Sequence, residues 1–306
     1  MNIAFEEIEK IAIELGFSAV GYAPAHELAD EPERYMQALE KGHFAGMEYL
    51  KRNLEKRFNP QLLVDGAKSV LVFLAPYGIQ RADEHIDIAF DPSNEGSLPD
   101  GNSNLSGRYK VAQYALGEDY HTVIRGKLNN ILEMMKREEP SISGRVFVDT
   151  APVLERAWAV RAGLGFIGKN NFFISRKYGI RNFIGVIISN FELDGNRAEI
   201  FSENDSRKSI DKKYCGNCTR CIESCPTGAL SEPYTLDANK CTAYLTIEAK
   251  DATVGKNIEK SDERGGWIFG CDACMNACPW NSRNSTGWDE FCQKEFPLGE
   301  NHLKRR

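Results

Sequence analysis

Apolar and polar positions alternate in two distinct ways along the chain. Near the start, Ile3, Ile8, Ile11, Ala12 and Leu15 recur close to helical spacing, and Gly16 ends the run, which predicts a helix over residues 2–15. Residues 18–22 read as a short strand ahead of Pro24. Residues 31–41 and 47–57 carry the pattern of amphipathic helices. Residues 69–75, SVLVFLA, form a continuous apolar run, the signature of a buried strand. From 119 to 137, Val123, Leu128, Ile131 and Met135 fall on one side of a long helix. Residues 145–148 predict a strand, 152–162 a helix with proline in its first turn, and 172–175 and 183–189 two more strands. Two stretches have no period. Residues 91–107 are rich in Gly, Ser, Asn, Asp and Pro, a loop composition, and at this length a lid or a disordered insertion. Residues 194–213 are polar and mixed in charge, and read as a linker.

Composition narrows the class. The 306 residues are 42% apolar and 27% charged, enough to bury a substantial core and too apolar for a mostly disordered chain. No uncharged apolar run reaches the ~18 residues of a membrane helix. The first residues, MNIAFEEIEK, place acids where a secretion signal has bases. A cytoplasmic protein without a membrane partner is expected. The net charge of −6, from 38 basic and 44 acidic residues, disfavours a globally basic nucleic-acid binder but leaves room for local patches. Arg207, Lys208, Lys212, Lys213 and Arg220 form one such group, and Lys304, Arg305 and Arg306 another. Each is either a phosphate contact or a solvated surface.

Cysteine changes the picture most. All nine lie between 215 and 292, and the first 214 residues hold none. Without a secretion signal a disulfide framework is not expected, so metal or cluster ligation is the main reading. Cys215, Cys218, Cys221 and Cys225-Pro226 spell C-x2-C-x2-C-x3-C-P, the bacterial ferredoxin run whose fourth cysteine reaches a second cluster. Cys271, Cys274 and Cys278-Pro279 repeat that run without its first cysteine, and Cys241 stands between the two groups to supply it. Eight thiolates then serve two [4Fe-4S] clusters. Crossed ligation assigns Cys215, Cys218, Cys221 and Cys278 to one, and Cys225, Cys241, Cys271 and Cys274 to the other. The competing reading, a pair of zinc ribbons, calls for two knuckles and a spacer rather than a tight run closed by proline. Cys292 is left over, most simply as a small buried thiol.

Three motifs precede this region. Gly163, Gly165 and Gly168 match G-x-G-x-x-G, but a helix pattern comes before them, strand-like residues follow and position 183 is Phe. A dinucleotide site needs the opposite order and an acid about 20 residues on, so a glycine-rich helix exit that lets the backbone pass close to something flat is expected instead. Asp119-Tyr-His121-Thr-Val-Ile124 is similar to the D-x-H-x-x-G signature of proteins that hold cobalt through histidine, without the glycine. Asp119 is expected to cap the helix. Asp149 ends a strand before a helix, where it either caps or serves as a general acid at a strand's C-terminal edge.

Taken together, these segments resemble the epoxyqueuosine reductase family. The matching stretches are Leu54-Glu-Lys-Arg57-Phe-Asn-Pro60 with Gly66-Ala-Lys68-Ser69-Val70, Tyr114-Ala-Leu-Gly117-Glu-Asp119-Tyr120-His121, and Val148-Asp149-Thr150-Ala-Pro152-Val-Leu-Glu155-Arg156. They continue with Ala162-Gly-Leu-Gly165-Phe-Ile-Gly168-Lys169-Asn170, Cys221-Ile-Glu-Ser-Cys225-Pro226-Thr-Gly228-Ala229, Cys241-Thr-Ala-Tyr244-Leu245-Thr246-Ile247-Glu248 and Gly270-Cys271-Asp272-Ala-Cys274. Phe166 stands where the family often has tryptophan, and Asn171-Phe172-Phe173 where it often has a Thr-Leu-Leu type run. Larger members carry a C-terminal helical-repeat domain. It is not expected in this chain, and neither is its share of the tRNA contact surface.

The resemblance implies an α/β (α+β) fold, with a mainly antiparallel sheet flanked by helices, as in cobalamin-processing and reductive dehalogenase proteins, followed by a ferredoxin-like two-[4Fe-4S] domain. The expected division is 1–206 for a cobalamin-binding catalytic domain, 207–292 for the ferredoxin-like domain and 293–306 for a tail. By the same resemblance Asp149 is the proton donor, and Arg57, Ala112, Asp149, Phe173, Ile184, Ala243, Cys271 and Asp272 lie against cobalamin, which has no histidine below cobalt. The implied reaction is reduction of epoxyqueuosine to queuosine at the wobble position of a tRNA. An external one-electron donor of flavodoxin or ferredoxin type feeds it, and the protein is expected to be a monomer. Burial against the corrin would keep Asp149 protonated, and the nucleoside would be extruded into the pocket. Two other readings stay open at this point: a cobalamin- or flavin-dependent reductase of a small molecule, and an electron-transfer ferredoxin subunit.

Overall fold

The computed structural model describes residues 4–78, 86–90, 107–193, 213–284 and 286–291. At its centre is a four-stranded sheet in the order β1-β2-β8-β5, built from β1 (Ala19–Pro24), β2 (Ser69–Pro76), β8 (Asn182–Ser189) and β5 (Gly144–Phe147). Every pairing in it is antiparallel. Successive side chains of a strand face opposite sides, and both sides of β2 are covered. Leu71, Phe73 and Ala75 join Ile8 and Ala12 of α1 (Phe5–Glu14) and Ile124, Leu128, Ile131 and Met135 of α4 (Tyr120–Glu138). Val70, Val72 and Leu74 pack instead with Trp158 and Val160 of α5 (Glu155–Arg161). That is why the sequence of β2 reads as an unbroken apolar run. Gly185 of β8 lets α4 lie close to the sheet, since a Cβ there would come within 2.6 Å of Leu128 Cδ1.

The long helix begins where its pattern predicts, with Asp119 accepting from the His121 N–H at 3.1 Å as its N-cap. The stretch over 47–57 does not form one helix. It splits into a 3-10 turn, Glu48–Lys51, and α3 (Leu54–Phe58), because Asn53 between them is left-handed at φ +55°. The helix expected over 152–162 starts only at Glu155, leaving Pro152 outside it.

The glycine-rich segment is neither helix nor nucleotide loop. Gly165–Ile167 is β6, paired antiparallel with β7 (Phe173–Ser175). A Cβ on Gly165 would collide with the Ile174 carbonyl, so the close approach required there is to the neighbouring strand rather than to anything flat. A further sheet has no counterpart in the periodicity. β3 (Ile86–Phe90) pairs antiparallel with β4 (Gly107–Val111), and β4 pairs parallel with β9 (Trp267–Phe269). Gly107, expected at the end of a loop, opens β4. Through β9, backbone that follows the first cysteine run joins a strand of the earlier part of the chain.

The segment after the cysteines also returns to the sheet. Trp288 donates from Nε1 to the Gly16 carbonyl at 2.6 Å and packs edge-on to Phe17. Among the described residues no helix is long and apolar enough to cross a membrane. Residues 91–106, most of the expected linker, Cys292, Arg207, Lys208, Lys212 and Lys304–Arg306 lie outside the described residues.

Candidate functional site

The short turns that carry the cysteines gather them in two sets. Cys215, Cys218, Cys221 and Cys278 line one cavity of about 140 Å³, whose walls also include Tyr214, Trp280, Ile174 and Lys169. Cys225, Cys241, Cys271 and Cys274 lie close enough to perturb one another's charge. Each proline-closed cysteine therefore sits with the other run's set, as crossed ligation requires. None of the eight is in a disulfide. Burial, with neighbouring sulfurs and Asp272 adding to it, pushes Cys271 up to about 12. Burial likewise pushes Cys278 up to about 11 and Cys274 well above the ordinary thiol value. Such thiols keep their protons unless a metal's positive charge displaces them. Among the described residues no three His, Cys, Asp or Glu converge on a point that would hold a single ion. Four sulfurs spread around an apolar-walled cavity match a cube of iron and sulfide better than zinc.

The hairpin turn between β6 and β7 ties the sheet to these thiols. Lys169 Nζ donates to the carbonyls of Gly216 at 2.7 Å and Cys218 at 2.9 Å. Asn170 Nδ2 donates to the Cys274 carbonyl at 3.3 Å. The motifs assign neither residue a role, and the only signal in the sequence is a lysine and an amide directly after the glycine run.

Asp149 follows β5 in a left-handed conformation, φ +49°, a setting that Asp tolerates better than most residues. It caps no helix. Its Oδ2 accepts from the Tyr120 O–H at 2.6 Å and lies 3.9 Å from His121 Nε2, and its side chain is 69% exposed. The Tyr120 ring is stacked between His121 and Phe183. His121 Nδ1 lies 2.8 Å from Asp119 Oδ1, so this histidine belongs to a network of acids. Behind Asp149, its N–H donates to Glu155 Oε1 at 3.1 Å. Burial, then the Asp149 carboxylate, raises Glu155 to about 8. Burial and Asp149 also hold the Tyr120 hydroxyl far above its ordinary value, so it stays a donor. Sequence reasoning missed both partners, although Tyr120 and Glu155 lie inside the quoted motifs.

The remaining expected contacts fall into three places. Arg57 is buried; it donates from Nη2 to the Tyr49 carbonyl at 2.9 Å, and its Nε has no partner. Tyr49 in turn donates from its hydroxyl to Glu248 at 3.4 Å, at the end of a π-helical turn, Tyr244–Glu248. Ala243 precedes that turn, beside Thr242, whose buried Oγ1 is also unpartnered. Ala112 is fully buried against Gly270, where a Cβ would come 2.6 Å from its own, and Cys271 follows. Phe173 and Ile184 belong with the apolar cluster around Trp158. Asp272 turns inward: its Oδ2 accepts from the Gln113 N–H at 2.9 Å and pairs with Arg181 at 3.2 Å.

Two family models match. Residues 214–281 match the 4Fe-4S double cluster binding domain, and residues 57–150 match epoxyqueuosine reductase QueG. The epoxyqueuosine reductase of Leadbetterella byssophila is 38% identical over 277 residues, 90% of this chain and 80% of that protein. That of Synechocystis is 36% identical over 86% of this chain and 80% of the relative. A crystal structure of epoxyqueuosine reductase with an epoxyqueuosine-modified tRNA-Tyr stem loop superposes with a TM-score of 0.74 at 26% identity, covering 95% of this chain and 68% of that one. A catabolic reductive dehalogenase, at 16% identity and a TM-score of 0.50 over 90% of this chain and 31% of its own, shares the fold.

Proposed function

The chain belongs to the epoxyqueuosine reductase family, and from that premise we propose how its own residues carry the reaction. An epoxide of a modified nucleoside at the tRNA wobble position takes up two electrons and two protons, becoming an alkene and releasing water. The supporting observation is a single carboxyl, Asp149, held by Tyr120 with an open face, in the same body as two sets of four thiols. In this reading residues 1–206 hold cobalamin and do the chemistry, and 207–292 hold the clusters. The protein works as a monomer in the cytoplasm.

The residues fit both cofactors. Buried, unpartnered Arg57 Nε and Thr242 Oγ1 are costly unless something polar meets them, and the amide-fringed corrin provides such groups. Ala112 and Ala243 add no bulk, and Phe173 and Ile184 add apolar surface. Cys271 and Asp272 would bring the second cluster's backbone to the ring. When bound, cobalamin and the [4Fe-4S] pair supply low-potential electron transfer to the substrate. Asp149 gives a proton to the opening epoxide oxygen, and the Tyr120 O–H stabilises the carboxylate left behind. His121, 3.9 Å away, stands where it can return a proton through water. Burial of the nucleoside against Asp149 would exclude bulk water from the proton transfer.

The assay is nucleoside analysis of tRNA after incubation with cluster-loaded, cobalamin-supplemented protein and reductant. Queuosine should replace epoxyqueuosine; an intact epoxide overturns the reading. Crossed ligation has its own test. Cys278→Ala and Cys215→Ala should each halve the iron content and lose the same electron paramagnetic resonance signal. Cys225→Ala and Cys271→Ala should lose the other. If Cys278→Ala instead removes the signal that Cys271→Ala removes, the ligand assignment is wrong.

A further inference from the structure

The cavity of Cys215, Cys218, Cys221 and Cys278 is capped by two aromatic rings, and each ring carries an arginine. Arg176 sits 5.6 Å from the centre of the Tyr214 ring and donates to its hydroxyl at 3.0 Å. Arg283 sits 4.7 Å from the centre of the Trp280 ring and donates to the Arg176 carbonyl at 2.8 Å. The two rings meet edge to face at 6.2 Å, and both line the cavity. Lys177 and Lys213, next in sequence to Arg176 and Tyr214, are exposed, as is Arg283. Lys169 brings its ammonium to the cysteine loop itself. The neighbouring turn, Arg220–Glu223, adds one charge of each sign. This is a basic rim on a chain whose net charge is −6, and it stands over a redox cavity rather than over the proton donor.

We infer that the rim around Tyr214 and Trp280 is the docking face for an acidic one-electron carrier protein. Electron transfer needs the carrier's centre close to the cluster, and these rings are the cavity's own wall. Cations around an apolar, aromatic centre are the complement of an acidic partner and steer its approach. A nucleic acid would also meet the arginines, but its reacting base belongs at Asp149. The inference rests on the reductase reading only for the direction of electron flow. At each docking the carrier gives up one electron and the cluster beneath the rim gains it, so two dockings supply one epoxide reduction.

The experiment uses the cluster-loaded full chain and reduced flavodoxin as the probe carrier. Lys177→Glu/Lys213→Glu should lower the bimolecular rate of cluster reduction about tenfold at low salt and flatten its fall with ionic strength. Lys177→Gln/Lys213→Gln should show an intermediate loss. Photoreduction by deazaflavin, a small uncharged mediator, should be unchanged, and so should affinity for a modified anticodon stem loop. An unaltered flavodoxin rate overturns the inference. A loss of stem-loop affinity with a normal flavodoxin rate overturns it too and assigns the rim to tRNA. Equal slowing with deazaflavin also overturns it, because the charges then act on the cluster's environment rather than on a partner. None of these rates depends on epoxide turnover. A chain that accepts electrons normally yet leaves the epoxide intact sinks the reductase reading and leaves the docking face standing.

Discussion

Asp149→Asn is expected to lower turnover by roughly 10²–10⁴-fold, the usual worth of a positioned general acid, with cofactor absorbance unchanged. Asparagine is the informative replacement. It tolerates the left-handed backbone at φ +49°, and its carbonyl oxygen can still accept from Tyr120. What it lacks is the proton. Alanine would add backbone strain to the loss and confuse the two. Single-turnover formation of queuosine, followed alongside the corrin spectrum, reads both quantities. Full activity in the variant would remove Asp149 from the mechanism.

The same substitution should be visible away from the substrate. Glu155 is held at about 8, against an ordinary 4.5, by burial and then by the Asp149 carboxylate. A carboxyl whose folded-state value is raised contributes stability that is fully present below pH 4.5 and is lost as pH rises through about 8. The native protein should therefore melt at progressively lower temperature as pH rises from 4.5 to about 8, and level off above it. Removing the Asp149 charge lets Glu155 ionise more easily, so the decline in Asp149→Asn should be shallower. Parallel melting curves across that range would mean that the two carboxyls do not feel each other.

The elements legible from sequence were those whose burial leaves a period. β2, covered on both faces, gives an unbroken apolar run, and α4 packs one stripe on the sheet. The cysteine spacing gave two sets of four because cluster ligation fixes spacing within a turn. What stayed hidden depends on distant partners. Gly165–Ile167 reads as glycine punctuation because its pairing with β7 cannot be seen in a single strand. β9 is three residues long and takes its identity from β4, more than 150 positions earlier in the numbering. The acid network was half visible. Asp149 stands out in its motif, whereas Tyr120 and Glu155 become its partners only once α4 and α5 lie beside the end of β5. Fold likeness alone would not have decided the substrate either, since a dehalogenase shares the architecture; the ordered motifs did that.

Breaking the buried pair Arg181–Asp272 should give the largest loss of stability. Arg181 lies between the sheet and the cysteine-bearing segment, with its side chain 1% exposed and that of Asp272 4% exposed. Its guanidinium donates to Asp272 and Asn281 at 3.2 Å each and to Asn276. These residues are interleaved with Cys271, Cys274 and Cys278, so one cation orders the backbone that carries three expected ligands. Asp272→Ala leaves that cation buried without its counter-charge and leaves the Gln113 N–H without its acceptor. Removing one member of such a pair costs about 3–5 kcal/mol, and the apparent Tm should fall by about 10 °C. Iron content should fall with it, because the segment that loses its anchor holds ligands of both sets. Arg181→Met/Asp272→Leu should recover much of the loss, since an apolar pair has no charge to strand. The double variant separates two roles. Recovery of Tm without recovery of cluster loading would show that the arginine's fan of hydrogen bonds, rather than its charge, shapes the ligand loop. If Asp272→Ala melts like the native protein, the pair contributes nothing to holding the two parts together.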